Sequence, residues 1–399
     1  MKILMLTPYL PYPPSAGGQV RSYNLIKQLS KHHKITLVCF TRDTNTDDQI
    51  KHMQQFCAKV LTFKRGKAWT LPNILRTGFS LYPFLIMIYF TPEMRHQLEE
   101  EIQTGNYDLI HAETFYVMPY LPKTNLPTVL VEQTIMSRVF EHQVKNYEEA
   151  WLRPLYMIDV LKMRYWEKYF WRKANRLVSV SEEDAKVIKS LTPGIQVDIV
   201  PNGVGEDFVS VPRNLHYNHT VFYLGNYKWM QNWEAAHILA TQIFPLIKAK
   251  ISDAKLKIVG QFPTAELKAL RNQDINIVEL ADSDRHGVVE STVSSGILIA
   301  PIYGPSGTRL KILAAMASML PVVTTPIGSE GLGAKNGESI LIGKTPRDLA
   351  NLAVKVLKNK SLYQKIALSA RAHVDKNFTY EAISRKLESI YEEVVHHHS

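Results

Sequence analysis

Apolar residues in this chain fall into short runs that alternate with stretches of helical spacing. Near the start, an apolar run, a loop rich in proline and glycine, a helical stretch and a second apolar run follow one another: Ile3–Leu6, Thr7–Gly18, Val20–Ser30 and Ile35–Phe40. This order predicts a β-α-β unit with parallel strands. Because ligands bind beyond the first strand of such a unit, Gly17 and Gly18 could let a ligand approach the helix start. A long proline loop without a ligand is the alternative.

The same alternation continues through the first half and starts again in the second half. The further apolar runs are Tyr107–His111, Thr128–Glu132, Arg176–Ser181 and Val197–Val200, then Val221–Leu224, Leu256–Val259, Ile275–Val278 and Gly296–Ala300. Between the two sets, residues 201–218 are rich in proline, asparagine and histidine and break the pattern. We therefore predict an α/β protein with two doubly wound parallel sheets, divided into domains at 1–205 and 206–376 and a last helix at 377–395.

Residues 296–333 predict a strand, a glycine loop, a helix and a second strand in that order. Arg309 and Lys311 fall in the first turn of the predicted helix, Arg309–Leu320, where the positive end of the helix dipole disfavours cations. An anion at the helix start would reverse that sign, because backbone N–H groups and both cations could bind one phosphate. We therefore place a diphosphate site at Ser306–Lys311, with a solvated helix start as the alternative.

Composition adds a few constraints. The 399 residues are 45% hydrophobic and 21% charged, and two cysteines, Cys39 and Cys57, predict no disulfide framework and fit a reducing compartment. The net charge of +10 fits an anionic substrate or an anionic membrane surface. We expect no nucleic acid partner, because no helix-turn-helix, zinc-finger or RNA-binding signature is visible.

Two segments fit contact with a membrane surface. Leu81–Phe90 is strongly apolar but shorter than the about 20 residues that span a bilayer, so it predicts either core or membrane contact. Trp151–Arg176 carries many cations among Trp, Tyr and Phe, which fits an interfacial helix or a helix packed on the sheet with its cations in water. We expect a cytoplasmic protein, with peripheral attachment at the inner face of the cell membrane as an option.

Polar residues follow two predicted strands of the first half. His111, Glu113 and Glu132 lie at strand ends, so each could point into a ligand cleft or be a hydrogen-bonded structural residue. Glu113 is the better cleft candidate, since it lies two positions beyond His111 on the same side of an extended chain. The pair Asp282 and Asp284 is typical of some metal sites, but Asp284 fits a helix N-cap better. We therefore expect no metal.

Ordered motifs run along most of the chain and are strongest from Val221 to Leu341: YLPYPPSAGG, YDLIHAE, VSVSEED, VPNGV, GNYKWMQNWEA, LKIVG and SGTRLKILAAMASMLPVVTTPIGSEGL. This set resembles the GT-B glycosyltransferases of the large group-1/group-4 type. The resemblance implies two Rossmann-like domains facing across a cleft, with a nucleotide-sugar donor on the C-terminal domain and a glycan or lipid-linked acceptor on the N-terminal domain. It also implies a last helix that crosses back to the first domain.

The resemblance further implies a hexosyltransferase-type enzyme that retains anomeric configuration, needs no metal or other cofactor, and works in surface polysaccharide or glycolipid synthesis. Its motifs imply a catalytic-face residue in the segment of His111 and Glu113, without deciding which of the two matches, and we expect Arg21 and Glu132 on the acceptor side. Arg309 and Lys311 would stabilise the departing diphosphate. The donor-binding set is Gly17, Gly18, Gly225, Lys228, Ser306, Gly307, Thr308, Arg309, Lys311 and Glu330.

One departure from the family pattern concerns the donor ribose. Family members usually carry two Glu eight positions apart, the second holding the ribose, whereas this chain has Ser306 and Ala314. Alanine cannot accept a ribose hydroxyl, so Glu330 in the next loop is our candidate replacement. Two other functions stay open: a nucleotide-sugar 2-epimerase on the same architecture, and a binding protein that kept the fold and lost turnover.

Overall fold

The computed structural model describes residues 1–42, 46–89, 91–145, 147, 149–212, 214–281, 284–304 and 309–398. Within these ranges the chain packs into two compact units. The first unit contains Met1–Pro201 together with the residues from Ser384 onward, and the second contains Asn202–Ile383. Each unit is built around one parallel β-sheet, which confirms the fold class that the alternating pattern predicts.

In the described part of the first unit the sheet has seven strands: β1 (Lys2–Thr7), β2 (Lys34–Thr41), β3 (Lys59–Lys64), β4 (Leu109–Glu113), β5 (Thr128–Glu132), β6 (Arg176–Ser179) and β7 (Val197–Ile199). Their order in space is β3-β2-β1-β4-β5-β6-β7. The helices between them are α1 (Gly17–Leu29), α2 (Asp47–Met53), α3 (Leu71–Phe79), α4 (Phe84–Met87), α5 (Pro92–Gly105), α6 (Met136–Lys145), α7 (Arg153–Lys173) and α8 (Glu182–Leu191). Short 3₁₀ turns lie at Phe115–Tyr120 and Ala150–Leu152.

The described part of the second unit has a six-stranded sheet: β8 (Thr220–Asn226), β9 (Lys255–Gln261), β10 (Ile275–Glu279), β11 (Ile297–Ala300), β12 (Val322–Thr324) and β13 (Leu341–Ile342). Their order in space is β10-β9-β8-β11-β12-β13. The helices of this unit are α9 (Glu206–Val209), α10 (Met230–Ile238), α11 (Phe244–Lys248), α12 (Ala265–Ala269), α13 (Arg285–Val293), α14 (Leu310–Ala317), α15 (Pro326–Ser329), α16 (Pro346–Leu357) and α17 (Lys360–Asn377). The last helix, α18 (Tyr380–His398), belongs to the first unit from Ser384 onward. A π-helical turn, Leu239–Ile243, joins α10 to α11.

The strand order fixes where each sheet can bind a ligand. In the first sheet β1 lies between β2 and β4, and in the second β8 lies between β9 and β11, so the chain reverses its direction of winding beside β1 and beside β8. Ligands of open parallel sheets bind at the carboxyl ends of the strands at such switch points. The loops that follow β1, β8 and β11 are therefore the candidate site loops.

Two facing glycines let β8 and β9 approach closely at the site end of the second sheet. Gly225 and Gly260 are register partners. A Cβ on Gly260 would lie 1.7 Å from the carbonyl oxygen of Gly225, and its φ of +148° is one that side chains rarely adopt. The position therefore requires glycine, which the LKIVG motif supplies.

Three local predictions meet the structure differently. The helix predicted at Arg309–Leu320 is shorter, since α14 spans Leu310–Ala317 with Arg309 as its N-cap. Asp284 is an N-cap as predicted, and its carboxylate accepts the backbone N–H of Gly287 at 2.8 Å. Most of the apolar run from Leu81 onward is core, because Ile86, Met87 and Tyr89 are buried while Leu81 is exposed. Among the described residues, no helix combines the length and apolar character needed to cross a membrane.

Glu132, predicted on the acceptor side, ends β5, and its side chain is buried beneath helices α6 and α7 in the first unit. The Glu132 carboxylate accepts the backbone N–H of Phe115 at 2.9 Å, and that of Glu167 accepts the backbone N–H of Ser137 at 3.1 Å. Both side chains are enclosed. Burial, with the neighbouring Glu167 charge, raises the pKa of Glu132 well above its usual value, and burial raises the pKa of Glu167 to about 7. Glu132 is therefore an interior residue, and its acceptor-side role stays a prediction.

The two buried carboxyl groups, Glu132 and Glu167, should make the first unit less stable as the pH rises. A carboxyl with a raised folded-state pKa holds its proton in the folded protein after the unfolded chain has lost it, so stability falls between about pH 4.5 and 7. We expect Glu167→Gln to remove a loss on the order of 3 kcal/mol across that window, because the amide stays neutral and its oxygen can still accept the Ser137 N–H.

The measurement is the melting temperature of the first-unit transition at pH 5 and pH 8. The variant should gain on the wild type at pH 8 and match it more closely at pH 5. The exposed Glu100→Gln is the control and should leave the pH dependence as it is. Parallel pH curves for Glu167→Gln and the wild type would contradict the assignment.

Candidate functional site

Lys311, in the first turn of α14, reaches across the second sheet to the end of β8. Its ammonium group donates to the Asn232 side-chain oxygen at 2.6 Å and to the Tyr223 hydroxyl at 3.0 Å, and lies 4.4 Å from the centre of the Tyr223 ring. Helices α10 and α14, which follow β8 and β11 in the chain, thus meet at this cation. Tyr223 and Asn232 were missing from the predicted site, although Asn232 lies within the GNYKWMQNWEA motif.

Gly225 explains how Asn232 comes to lie so close to the sheet. A Cβ on Gly225 would lie 3.0 Å from the Cβ of Asn232, so a larger residue would push the start of α10 away. The Asn232 amide donates to the Asn226 carbonyl at 2.9 Å, which holds its oxygen toward Lys311. Gly225 therefore acts on the site through Asn232.

Two positive charges sit side by side at the start of α14. Burial and the nearby Arg309 charge lower the pKa of Lys311 to about 7. The partners of its ammonium group, an amide and a phenol hydroxyl, are neutral. An anion bound here would meet both cations and the positive end of the helix dipole, and would raise the pKa of Lys311 again.

Arg309 is fixed toward the loop that follows β12. Its guanidinium donates to the Ile327 carbonyl at 2.5 Å and lies 3.7 Å from the Glu330 carboxylate. Glu330 is 48% exposed, so its oxygens remain accessible beside the cation. This placement keeps Glu330 available as the predicted replacement for the ribose-binding Glu, and Ala314 itself is buried in α14.

The remaining donor-side predictions have mixed outcomes. The Lys228 ammonium lies over the ring of Phe262 at 3.5 Å from its centre, in the loop after β8. Ser306, Gly307 and Thr308 lie outside the described residues. Whether Lys228 and this loop contact a phosphate stays a prediction.

In the first unit, a buried polar cluster joins β4 to α1 and α18. Glu113 accepts from the His111 ring at 3.1 Å, and its carboxylate lies 3.7 Å from the Arg21 guanidinium. Since a carboxylate only accepts, the Nε2 of His111 donates to it, and the Nδ1 forms a hydrogen bond of 2.5 Å with the Tyr391 hydroxyl. Burial would raise the pKa of Glu113, but the His111 hydrogen bond and the Arg21 charge outweigh it and lower the pKa. The carboxylate is therefore ionised and compensated.

The start of α1 closes over this cluster. A Cβ on Gly18 would lie 2.4 Å from the Tyr9 hydroxyl and 2.8 Å from the Gln133 side-chain oxygen, so glycine is needed for these two side chains to pack there. The Gln133 amide donates to Glu113 at 2.5 Å and to the Tyr9 hydroxyl at 3.0 Å. Gly17 is the first residue of α1. Gln133 and Tyr9 are only partly buried, whereas His111, Glu113 and Arg21 are enclosed.

The prediction that His111 and Glu113 line an open cleft is not met as placed, because both side chains are fully buried. Arg21, predicted on the acceptor side, is also fully buried, and its guanidinium donates to the carbonyls of Val200 and Pro201 at 3.1 and 2.8 Å. Partner groups from α1, α18 and the end of β7 enclose the carboxylate, which strand position alone could not reveal. Their catalytic and acceptor roles stay predictions.

Comparison with known proteins identifies the family. The sequence model described as Glycosyltransferase Family 4 matches residues 15–208, and the one described as Glycosyl transferases group 1 matches residues 218–359. A Klebsiella pneumoniae protein described as an uncharacterized 44.6 kDa protein in the cps region is 23% identical over 94% of this chain and 96% of its own length.

Solved structures agree with this assignment. Sucrose-phosphate synthase from Thermosynechococcus elongatus has a TM-score of 0.70 at 16% identity, covering all of both chains. Anabaena HepE, solved with UDP and glucose, has a TM-score of 0.62 at 15% identity, covering 98% of this chain and 100% of its own. With its two parallel-sheet units and a match to each half, the chain belongs to the GT-B glycosyltransferases of the group-1/family-4 type.

Proposed function

We propose that this glycosyltransferase moves a hexosyl group from a nucleoside diphosphate sugar to a glycan or lipid-linked acceptor, with retention of configuration, in surface polysaccharide or glycolipid synthesis. The observation that carries the proposal is the pair of adjacent cations, Arg309 and Lys311, at the start of α14. The described partners of the Lys311 ammonium group are neutral, and Arg309 lies beside the half-exposed Glu330, so a bound diphosphate would bring negative charge to a cluster in which cations are in excess.

The same pair accounts for the chemical step. As the bond between the sugar and the diphosphate breaks, negative charge grows on the leaving oxygen, and fixed cations stabilise it without reorganising. Lys311 is held by Tyr223 and Asn232, and Arg309 by the Ile327 carbonyl, so both are oriented before substrate arrives. This is why we propose a reaction that needs no metal and no other cofactor.

The substrate classes are supported by the related proteins. HepE was solved with UDP and glucose, which supports a uridine nucleotide sugar as the first donor to test. The Klebsiella relative lies in a cps region, which supports surface polysaccharide as the product class. A lipid-linked acceptor would lie at the inner face of the cell membrane, so we place the enzyme in the cytoplasm with peripheral attachment there.

In the first unit we assign His111 and Glu113 the role of orienting Gln133 and Arg21. The buried carboxylate accepts from the Gln133 amide, and Gln133 is only partly buried. The two alternatives, an epimerase and a non-catalytic binding protein, lack a supporting observation of their own beyond Ala314.

Turnover is the first test. The protein is incubated with UDP-, GDP- and ADP-sugars, alone and with membrane glycolipid extract, while free nucleoside diphosphate is followed. We expect release with one donor, dependent on acceptor and unchanged by EDTA, and NMR of the product should show the donor's anomeric configuration. Donor isomerised without nucleotide release would favour the epimerase, and silence across the panel would favour the binding protein.

Arg309→Ala and Lys311→Ala should each weaken nucleoside diphosphate binding by at least about 1.5 kcal/mol, the low end for a charged hydrogen bond. Isothermal titration with UDP measures this as a more than about tenfold rise in Kd. Lys335→Ala, an exposed cation of the same unit, is the matched control and should bind as the wild type does. Unchanged affinity in both site variants would remove the phosphate assignment.

Diphosphate binding should also take up a proton at Lys311. The pKa of Lys311 is about 7 without an anion, so at pH 8 most molecules carry a neutral amine that the bound diphosphate will protonate. Titration of UDP at pH 8 in two buffers of different ionisation enthalpy should show uptake approaching one proton for the wild type. Lys311→Arg, which keeps its charge, should show less. Equal uptake in both proteins would mean that Lys311 does not meet the diphosphate.

A further inference from the structure

Large apolar side chains stand exposed on two neighbouring helices of the first unit. On and after α3, Phe79 is 93% exposed and Leu81 is 81% exposed, and no residue of α3 is buried. On α7, exposed apolar residues recur three or four positions apart along one face: Leu155, Ile158, Leu161, Tyr165 and Tyr169. A soluble helix normally turns such a row inward, so both rows need an explanation.

Specific bonds hold these two rows together. The Lys162 ammonium donates to the carbonyls of Thr77 and Ser80 at 2.8 and 2.7 Å, which caps the end of α3. The Trp166 indole donates to the Leu81 carbonyl at 2.9 Å. The exposed residues of α3, Leu81 and α7 therefore form one surface, which we call the α3–α7 face.

Among the described residues, the two helices and Leu81 that form this face contribute no carboxylate to its surface. The sequence has no Asp or Glu between Gln49 and Pro92. The two acidic residues of α7 point elsewhere, since Asp159 accepts the backbone N–H of Phe84 at 2.8 Å and Glu167 is buried beside Ser137.

Cations border the apolar rows. Beside Leu161, Tyr165 and Tyr169, a shallow groove of about 680 Å³ along α7 is lined by Arg164, Lys168, Arg172 and Lys173. Arg164 pairs with Glu141 at 2.6 Å, while Arg172 and Lys173 are exposed in the last turn of α7. Aliphatic and aromatic side chains next to such cations match a lipid interface, where apolar groups enter the acyl region and cations stay with the headgroups.

We propose that the α3–α7 face docks on an anionic lipid bilayer, with headgroup phosphates in the α7 groove and Phe79 and Leu81 in the acyl boundary. The inference rests on the proposed function, because the enzyme would find a lipid-linked acceptor at the bilayer surface. With 21 residues and a length of about 30 Å, α7 lies along the bilayer plane.

A second copy of the chain fits this face less well. In a two-fold dimer the same patch meets itself, so the cations of one groove would lie against those of the other. An anionic bilayer instead supplies opposite charge across the whole face.

Vesicle flotation tests the proposal. The full chain is mixed with vesicles of phosphatidylcholine alone or of phosphatidylcholine and phosphatidylglycerol. We expect it to float with the anionic vesicles only, and less at high salt. Protein that stays at the bottom of the gradient with anionic vesicles overturns the proposal.

Two pairs of variants locate the binding face. Phe79→Ser/Leu81→Ser should reduce vesicle binding at least about tenfold, whereas Leu368→Ser, which is 55% exposed on α17, should not. Arg172→Glu/Lys173→Glu should likewise reduce binding at least about tenfold, whereas Lys355→Glu/Lys358→Glu at the end of α16 should not.

Other outcomes are equally decisive. If both α3–α7 variants float as the wild type does, the surface assignment is wrong. If light scattering shows a dimer that Phe79→Ser/Leu81→Ser converts to monomer, without vesicle binding by either form, the occupant is a second copy. Nucleotide release with a soluble acceptor is measured separately, so a failure of docking and a failure of the proposed reaction can be told apart.

Discussion

The second unit depends on keeping an ammonium group beside a guanidinium group at the start of one helix. Burial disfavours the charged form of Lys311 and the nearby Arg309 charge repels it, so the pKa of Lys311 falls to about 7. The arrangement persists because neutral dipoles hold Lys311: the Asn232 oxygen, the Tyr223 hydroxyl and the Tyr223 ring. Gly225 allows Asn232 to lie against β8, and Gly260 allows β9 to lie close to Gly225. The backbone of β8 and β9 thus helps to place the partners of a cation on a helix farther along the chain.

In the first unit, by contrast, a buried charge is surrounded by groups that compensate it. The Glu113 carboxylate is enclosed, yet His111, Arg21 and Gln133 compensate it fully enough to keep it ionised. A carboxylate compensated in this way is better suited to positioning its neighbours than to binding a new charge. The cations of the second unit, of which Lys311 has neutral described partners, are suited to an anionic ligand, and the compensated carboxylate of the first unit is suited to fixing the groups around it.

The sequence predicts both sheets, because buried parallel strands are continuous apolar runs and the helices between them have a clear period. It also predicts that Arg309 and Lys311 are candidate site residues, because the strand, loop and helix that place them are adjacent in the sequence. It does not predict Asn232 and Tyr391, which lie 79 and 280 positions from their partners Lys311 and His111. Glu132 shows the same limit: its strand position is right, but α6 and α7, which pack over it, decide its burial.

Helix α7 joins two observations that look unrelated. It turns a carboxylate inward, where burial raises its pKa to about 7, and turns leucine, isoleucine and tyrosine outward. A helix whose outer face met only water would gain stability from the reverse arrangement. An outer face that meets anionic lipid reverses that preference, because an exposed carboxylate would be repelled by the headgroups and exposed apolar side chains would be buried among them. The buried Glu167 and the exposed apolar row are then two consequences of one constraint on α7.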